Sequence, residues 1–120
     1  MLVLSRLPRP LRVGAYLTCF AVLSWLSLAP QSALPQPGMS DKFEHTVAYA
    51  VLAIAGLLLF PASAGATLAI AFAYGLLIEV LQATMGFGRD GDWRDVVANS
   101  LGIVIVAAPA LAWRRWARGK

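Results

Sequence analysis

The segment from Phe43 to Ala83 reads FEHTVAYAVLAIAGLLLF, PAS and AGATLAIAFAYGLLIEVLQA. It consists of two long apolar stretches, 43–60 and 64–83, joined by Pro61-Ala62-Ser63. About 20 apolar residues form a helix long enough to cross a hydrocarbon core of roughly 30 Å. The stretches are continuously apolar rather than alternating, which argues against the strands of a membrane barrel. The segment therefore predicts a transmembrane hairpin of two helices.

Two more stretches of this kind lie on either side of the hairpin, at 12–29 and 96–113. The chain has 120 residues, 59% hydrophobic and 13% charged, so it is too apolar for a soluble domain and too short for a second domain. Arginines precede the first stretch, as in a secretory signal, but its length and Pro30 directly after Ala29 favour an uncleaved span. We therefore predict an all-α fold, a four-helix transmembrane bundle in a single domain over residues 1–120.

Basic residues are distributed unequally between the two predicted sides of the bundle. Seven of the ten lie before or near the start of the first span, or after the last, with no acidic residue among them: Arg6, Arg9, Arg12, Arg114, Arg115, Arg118 and Lys120. The other three, Lys42, Arg89 and Arg94, share the opposite side with all six acidic residues. Because cytoplasmic segments carry an excess of Lys and Arg, both termini are predicted to be cytoplasmic. The net charge of +4 then reflects topology and contact with anionic lipids, and nucleic acid is not an expected partner.

Ionisable and amide side chains near the ends of the spans form a second pattern. Charge in an apolar span is costly, so these positions are the first candidates for function. With a rise of about 1.5 Å per residue, His45 and Tyr49 lie roughly 3 and 9 Å below the predicted outer boundary. On the same scale Glu79 lies roughly 6 Å deep and Asn99 roughly 5 Å deep. Four groups from three helices are therefore predicted to share one layer.

Helical spacing places the polar residues of each span on one face. The sets are Lys42, His45 and Tyr49, with Asp41 one turn before His45; Gly75, Glu79 and Gln82; and Asp95, Asn99 and Gly102. Lipid offers no partner for a carboxylate, an imidazole or an amide, so these faces are expected to turn inward. The two glycines would let neighbouring backbones approach closely. The predicted ligand-binding residues are Asp41, Lys42, His45, Tyr49, Glu79, Gln82, Arg89, Asp95 and Asn99.

The order and spacing of these residues resemble the VanZ-like family of bacterial membrane proteins. The pattern is Asp-Lys-x-x-His-x-x-x-Tyr at the start of one span, Glu-x-x-Gln near the end of the next, then Gly-Arg, Asp-x-x-x-Asn and a further glycine. Here it runs from Asp41 to about Val106 and includes Gly88, Arg89 and Gly102, while Val106 stands where the family often has a second glycine. The resemblance implies a multi-pass protein of the bacterial inner membrane, from a family named for its association with low-level resistance to the antibiotic teicoplanin. It implies no particular reaction, because the family's mechanism is not settled.

The residues of the layer allow more than one function. For binding, Lys42 and Arg89 would meet a phosphate or carboxylate, while Glu79, Gln82 and Asn99 would hydrogen-bond a sugar or peptide headgroup. Membrane lipids, a lipid-linked wall precursor or a glycopeptide would suit such a site. Alternatively, the layer ties helices together in a non-catalytic subunit that packs against another membrane protein. We favour a non-catalytic binding module in the cell envelope that uses no cofactor, and the sequence leaves its oligomeric state open.

An enzymatic function would use His45 as a general base or nucleophile in phosphoryl or acyl transfer. Asp41 or Glu79 would orient His45, and Arg89 would stabilise developing negative charge. The catalytic candidates are His45, Glu79 and Asp95. Against catalysis, the sequence lacks a Gly-x-Ser-x-Gly elbow. A metal held by His45, Glu79 and one of the aspartates is chemically possible, but a single histidine without a paired metal motif argues against it.

The predicted orientation can be tested with single cysteines in a background that lacks Cys19. We expect Gln36→Cys to react with a membrane-impermeant thiol reagent added outside intact cells, because the charge distribution places the loop after the first span on the outer side. We expect Ser63→Cys, in the inner turn, to react after the cells are permeabilised and not before. The reverse labelling pattern would overturn the orientation.

Overall fold

The computed structural model describes residues 3–29, 41–85 and 92–120. Gln36, Gly88 and Arg89 lie outside the described residues, as does the side chain of Asp41. The described residues form no strand and four α-helices, namely α1 (Arg9–Leu28), α2 (Asp41–Leu59), α3 (Ala64–Met85) and α4 (Trp93–Arg118). Short 3₁₀ turns, Leu4–Arg6 and Pro61–Ser63, precede α1 and α3. All four helices are long and apolar enough to cross a membrane, which confirms the predicted all-α fold with four spans.

The helices extend beyond the apolar stretches, most clearly in α4. The apolar stretch begins at Val96, whereas the helix begins at Trp93 because Asp92 caps it. The side chain of Asp92 accepts a hydrogen bond of 2.9 Å from the backbone N–H of Arg94. At its other end α4 continues to Arg118, where basic side chains interact favourably with the last carbonyls of the helix. Hydropathy thus locates the apolar part of a helix, while caps and charges decide where the helix begins and ends.

Contacts between helix ends show that successive helices alternate in direction. The start of α1 meets the end of α2, since Arg12 Nη1 donates a hydrogen bond of 2.9 Å to Leu59 O. The ends of α1 and α3 meet, since Gln82 Nε2 donates to Ser27 O at 2.8 Å. Helices α2 and α4 run parallel, since Lys42 near the start of α2 pairs with Asp95 near the start of α4. Together they form the most extensive helix contact in the described structure. The end of the bundle where α2 and α4 begin is called the polar end, and it carries Lys42, His45, Glu79, Asp92, Asp95 and Asn99.

Arginines at the opposite end, called the basic end, bind backbone carbonyls of the turn between α2 and α3. Arg12 on α1 bonds to Leu59 O, and Arg114 Nη1 on α4 donates to Pro61 O at 3.0 Å. The Arg12 guanidinium also lies 5.3 Å from the centre of the Phe60 ring, within the range of a cation–π contact. The last carbonyls of a helix lack donors within the helix, and Arg12 supplies one to Leu59 at the end of α2, while Arg114 supplies one to the turn that follows. Two residues that the charge pattern assigns to topology therefore also hold the bundle together.

Small residues let α2 and α4 approach closely. A β-carbon added to Gly102 would lie 2.1 Å from the carbonyl oxygen of Thr46 and 3.0 Å from the backbone nitrogen of Ala50. One turn before Gly102, the carbonyl of Ala98 accepts a hydrogen bond of 3.2 Å from Thr46 Oγ1. Small residues one turn apart are typical of tightly packed membrane helices. The predicted close approach at Gly102 is confirmed, and Val106, one turn further, is partly buried against the core.

Aromatic rings attach α1 to the rest of the bundle. The buried Tyr16 ring packs edge-on against Phe20, with 4.9 Å between ring centres. Phe20 packs in the same way against Tyr74 of α3 at 4.8 Å, and the Tyr74 hydroxyl is hydrogen-bonded to Ser24 of α1. The most deeply buried apolar side chains of the core belong to α2 and α3, and they are Tyr49, Leu52, Ala53, Ala71 and Ile78. Helix α1 is therefore peripheral, and the residues of the polar end are held by α2, α3 and α4.

We expect Gly102→Ala to destabilise the bundle, because the added β-carbon would meet backbone atoms that cannot rotate away. Overpacking typically costs about 1–3 kcal/mol, and we expect the free energy of unfolding to fall by at least this amount. The measurement is the free energy of unfolding in mixed micelles, followed by circular dichroism. The control is Gly14→Ala in α1, where a β-carbon would meet nothing within 4 Å. That variant should be unchanged or stabilised by about 0.5–1 kcal/mol, because alanine is the better helix former. Equal stability of the two variants would show that the α2–α4 contact is looser than described.

Candidate functional site

Charged residues pair across α2 and α4 at the polar end. Lys42 Nζ lies 3.1 Å from Asp92 Oδ2 and makes a closer ion pair with Asp95 Oδ1. The side chain of Asp95 is 6% exposed, whereas that of Lys42 is 43% exposed. A buried carboxylate is strongly destabilising unless it is paired with a cation and hydrogen-bonded. Lys42 therefore extends from the surface of the bundle to neutralise a carboxylate in its interior.

His45 lies one turn deeper than Lys42 and contacts two residues of α4. Its Nδ1 donates a hydrogen bond of 2.8 Å to Asn99 Oδ1, and its Nε2 lies 3.6 Å from Asp95 Oδ2. The spacing of one turn between Asp95 and Asn99 brings both side chains to the imidazole at once. The sequence predicted Asp41 or Glu79 as the residue that orients His45. The structure places Asn99 and Asp95 of α4 at the imidazole, while the side chain of Asp41 lies outside the described residues, so a role for Asp41 stays a prediction.

Glu79 brings the third helix into the site. Its side chain is buried, and Oε1 accepts a hydrogen bond from the backbone N–H of Asp92, immediately before α4. This bond connects the end of α3 to the start of α4 across the segment 86–91. Its other oxygen, Oε2, is buried and has no hydrogen-bond partner among the described residues. One carboxylate oxygen of Glu79 is therefore hydrogen-bonded within the fold, and the other can accept a hydrogen bond from a further donor.

Most of the buried side-chain atoms without a hydrogen-bond partner belong to residues of α2, α3 and α4 near the polar end. Apart from Arg12 Nε at the basic end, those among the described residues are Tyr49 Oη, Glu79 Oε2, Gln82 Oε1 and Asn99 Nδ2. Gly75 makes room for two of these side chains, since its β-carbon would lie 3.1 Å from the Tyr49 ring and 3.2 Å from Asn99 Nδ2. A buried polar atom without a partner typically costs about 1–3 kcal/mol. Such a cluster needs a water molecule, an ion or a ligand to complete its hydrogen bonds.

Six of the predicted ligand-binding residues contact or face one another at the polar end and are called the polar layer: Lys42, His45, Tyr49, Glu79, Asp95 and Asn99. Gln82 lies at its margin, because its amide nitrogen bonds to Ser27 O and ties α3 to α1. The sequence predicted the residues of the layer but left most of their partners open. Their role in binding stays a prediction.

Asp92 belongs to the site but is not among the predicted ligand-binding residues. It caps α4, pairs with Lys42 and donates its backbone N–H to Glu79. The hydrogen bond from the Arg94 N–H and the Lys42 ammonium hold the pKa of Asp92 below its ordinary value of 3.8. Because the pKa is lower in the folded than in the unfolded chain, this stabilisation is complete above the ordinary pKa and is lost as pH falls through the lowered one. An aspartate just before an apolar helix is an N-cap signal that could have identified this residue.

The positions of Ser100, His45 and the metal-ligating side chains concern the enzymatic and metal-binding alternatives. Ser100, the hydroxyl that follows Asn99, donates to the carbonyl of Val96 in its own helix at 2.7 Å. Both ring nitrogens of His45 already face residues of α4. Within the described ranges, no three His, Cys, Asp or Glu side chains are placed to hold one metal ion.

The pairing of Lys42 with Asp95 can be measured with a double-mutant cycle. We expect Lys42→Met to destabilise the bundle, because it leaves the Asp95 carboxylate buried without its cation. In an Asp95→Asn background the same change should cost less, with a coupling free energy of about 1–3 kcal/mol in unfolding measurements. Lys120→Met, at the basic end, is the control and should show no coupling with Asp95→Asn. Additive effects of the first pair would show that the two side chains do not interact.

Comparison with known proteins places these residues in a family. No curated protein and no solved structure matches the chain. Residues 15–114 match the model of the VanZ/LLP1 family. The sequence resemblance began at Asp41, whereas this match also covers most of α1. The match covers most of the chain, and the four helices of the described residues are long and apolar enough for a membrane, so the chain belongs to the VanZ/LLP1 family of membrane proteins.

Proposed function

We propose that this protein is a multi-pass protein of the bacterial inner membrane that binds a cell-envelope lipid or wall-related ligand in its polar layer, from the outer side. The observation that carries the proposal is the cluster of buried polar atoms without partners on Tyr49, Glu79, Gln82 and Asn99. These atoms come from three different helices and lie next to the ion pairs of Lys42 and Asp95. Burying polar groups in an apolar bundle costs free energy, so such groups are expected to bind a ligand or to line a pathway for one.

The available groups define the kind of ligand. Asn99 Nδ2 can donate a hydrogen bond, Glu79 Oε2 and Gln82 Oε1 can accept, and the Tyr49 hydroxyl can do either. Hydroxyl and amide groups, as in a sugar or a peptide, match this mixture of donors and acceptors. Lys42 is already paired with two aspartates, so a phosphate at Lys42 would compete with them. We therefore propose that the polar layer recognises the sugar or peptide part of its ligand through hydrogen bonds.

A lipid-linked wall precursor combines such a headgroup with an anchor in the membrane. Binding of a wall precursor at the outer surface would also relate this protein to glycopeptide resistance of the teicoplanin type, because glycopeptides act on the cell wall. This relation is part of the proposal and follows from the family. In the same proposal the site is non-catalytic, because both ring nitrogens of His45 face Asn99 and Asp95, and the hydroxyl of Ser100 donates to a carbonyl of its own helix.

The proposal is tested by lipid-resolved mass spectrometry of the protein purified from its native membrane. We expect wild type to retain a specific envelope lipid or wall precursor, and Glu79→Gln to lose most of it. The substitution keeps the size of the side chain and an acceptor for the Asp92 N–H, but replaces the carboxylate by an amide. The matched control is Glu44→Gln, which makes the same chemical change on α2 outside the polar layer and should retain the ligand.

The thermal unfolding of both variants shows whether the fold is kept. If wild type, Glu44→Gln and Glu79→Gln all carry the same bulk phospholipids, the polar layer is a structural tie and the binding proposal is wrong. The alternative of a subunit that packs against another membrane protein would then be favoured.

A further inference from the structure

A groove of about 380 Å³ lies between α2 and α4 at the polar end. It is lined by Lys42, Phe43, Thr46, Trp93, Arg94, Val97, Ala98 and Leu101. Its volume falls within the roughly 300–1,000 Å³ of typical ligand sites. We propose that this groove is a phospholipid site, in which one acyl chain lies along α2 and α4 and the lipid phosphate binds Arg94.

The groove shares Lys42 with the polar layer and lies beside the rest of it. Thr46 and Ala98 form its floor, and the hydrogen bond from Thr46 Oγ1 to the Ala98 carbonyl closes the two helices on each other there. His45 and Asn99 are adjacent in sequence to these two residues and join α2 to α4 through a bond of their own. Neither His45 nor Asn99 lines the groove. The proposed phospholipid therefore occupies a second site, which borders the polar layer at Lys42 and leaves the unpartnered atoms of the layer to the other ligand.

The lining of the groove fits an acyl chain. Phe43, Val97 and Leu101 are each more than half exposed, and on a helix of this length and hydropathy they face lipid. An apolar groove between membrane-spanning helices is filled by lipid chains, since no water competes for it. Trp93 is 71% exposed at the start of α4, where tryptophan commonly marks the level of the lipid headgroups. The acyl chain would thus enter the groove below the layer of lipid headgroups.

The charges at the mouth of the groove fit a phosphate. Among the described residues, two carboxylates lie near the mouth, Asp92 and Asp95, and both are paired with Lys42. Within the described ranges, the exposed guanidinium of Arg94 has no carboxylate within ion-pair distance, and it lies 5.8 Å from the centre of the Trp93 ring. A guanidinium can bind two phosphate oxygens at once. Arg94 is therefore the cation at this mouth that is available to a headgroup, next to a groove for the attached chain.

The test uses the full chain, delipidated in detergent, and native mass spectrometry after addition of dioleoyl phosphatidylglycerol. We expect a one-to-one adduct, and a much weaker one with dioleoylglycerol, which has the same chains and no phosphate. Arg94→Gln should reduce occupancy by about threefold, the scale of an exposed ion pair. Val97→Trp should remove most of the adduct by filling the groove. Val104→Trp is the matched control, because Val104 is also 56% exposed and lies two turns along α4, outside the groove.

The outcomes separate this proposal from the proposed function. Retention of the adduct in Glu79→Gln, with loss in Arg94→Gln and Val97→Trp, supports a distinct phospholipid site. Equal adducts in wild type, Arg94→Gln and Val97→Trp overturn it, and so does equal loss in Val97→Trp and Val104→Trp. Loss in Glu79→Gln with retention in Arg94→Gln also overturns it, and assigns the lipid to the polar layer instead.

Discussion

The close approach of α2 and α4 at Gly102 is the constraint on which the site depends. These helices are not neighbours in sequence, yet Gly102 lies so near the Thr46 carbonyl that no side chain fits between them. This approach brings Lys42 to Asp95 and His45 to Asn99 within ion-pair and hydrogen-bond distance. In a membrane, helices gain little from apolar burial, so small residues and polar bonds decide which helices pair. The same glycine that fixes the fold therefore assembles the polar layer.

The polar layer combines bonds that hold the helices with atoms that remain available. Lys42 neutralises Asp95, His45 bonds to Asn99, and one oxygen of Glu79 receives the N–H of Asp92. If the layer were purely structural, further partners for the remaining atoms would stabilise the bundle at little cost. Each of Glu79 and Asn99 instead has one bonded and one unpartnered atom. This division is typical of groups that are held rigidly by one atom and present the other to a ligand.

The membership of the polar layer could be predicted because depth and helical angle follow from residue number alone. Alternating spans bring His45, Glu79 and Asn99 to one depth, and a spacing of three or four residues brings each set to one face. The pairing inside the layer could not be predicted, because it depends on which helices pack most closely. The bond from Glu79 to the Asp92 backbone depends in addition on where α4 begins, and hydropathy placed that start at Val96 rather than Trp93. Arg89 lies outside the described residues, so its place in the site stays a prediction.

The distribution of charge between the two sides of the bundle restricts the class of ligand further. The predicted outer side carries three basic residues against six acidic ones, whereas the predicted cytoplasmic side carries seven basic residues and no acidic one. A ligand that approaches the polar layer therefore meets an excess of negative charge, which disfavours a strongly anionic group there. Hydrogen bonds to neutral hydroxyl or amide groups involve no such repulsion. Arg94 is a local exception at the surface, so the phosphate of a lipid is expected in the groove, and an uncharged headgroup in the interior.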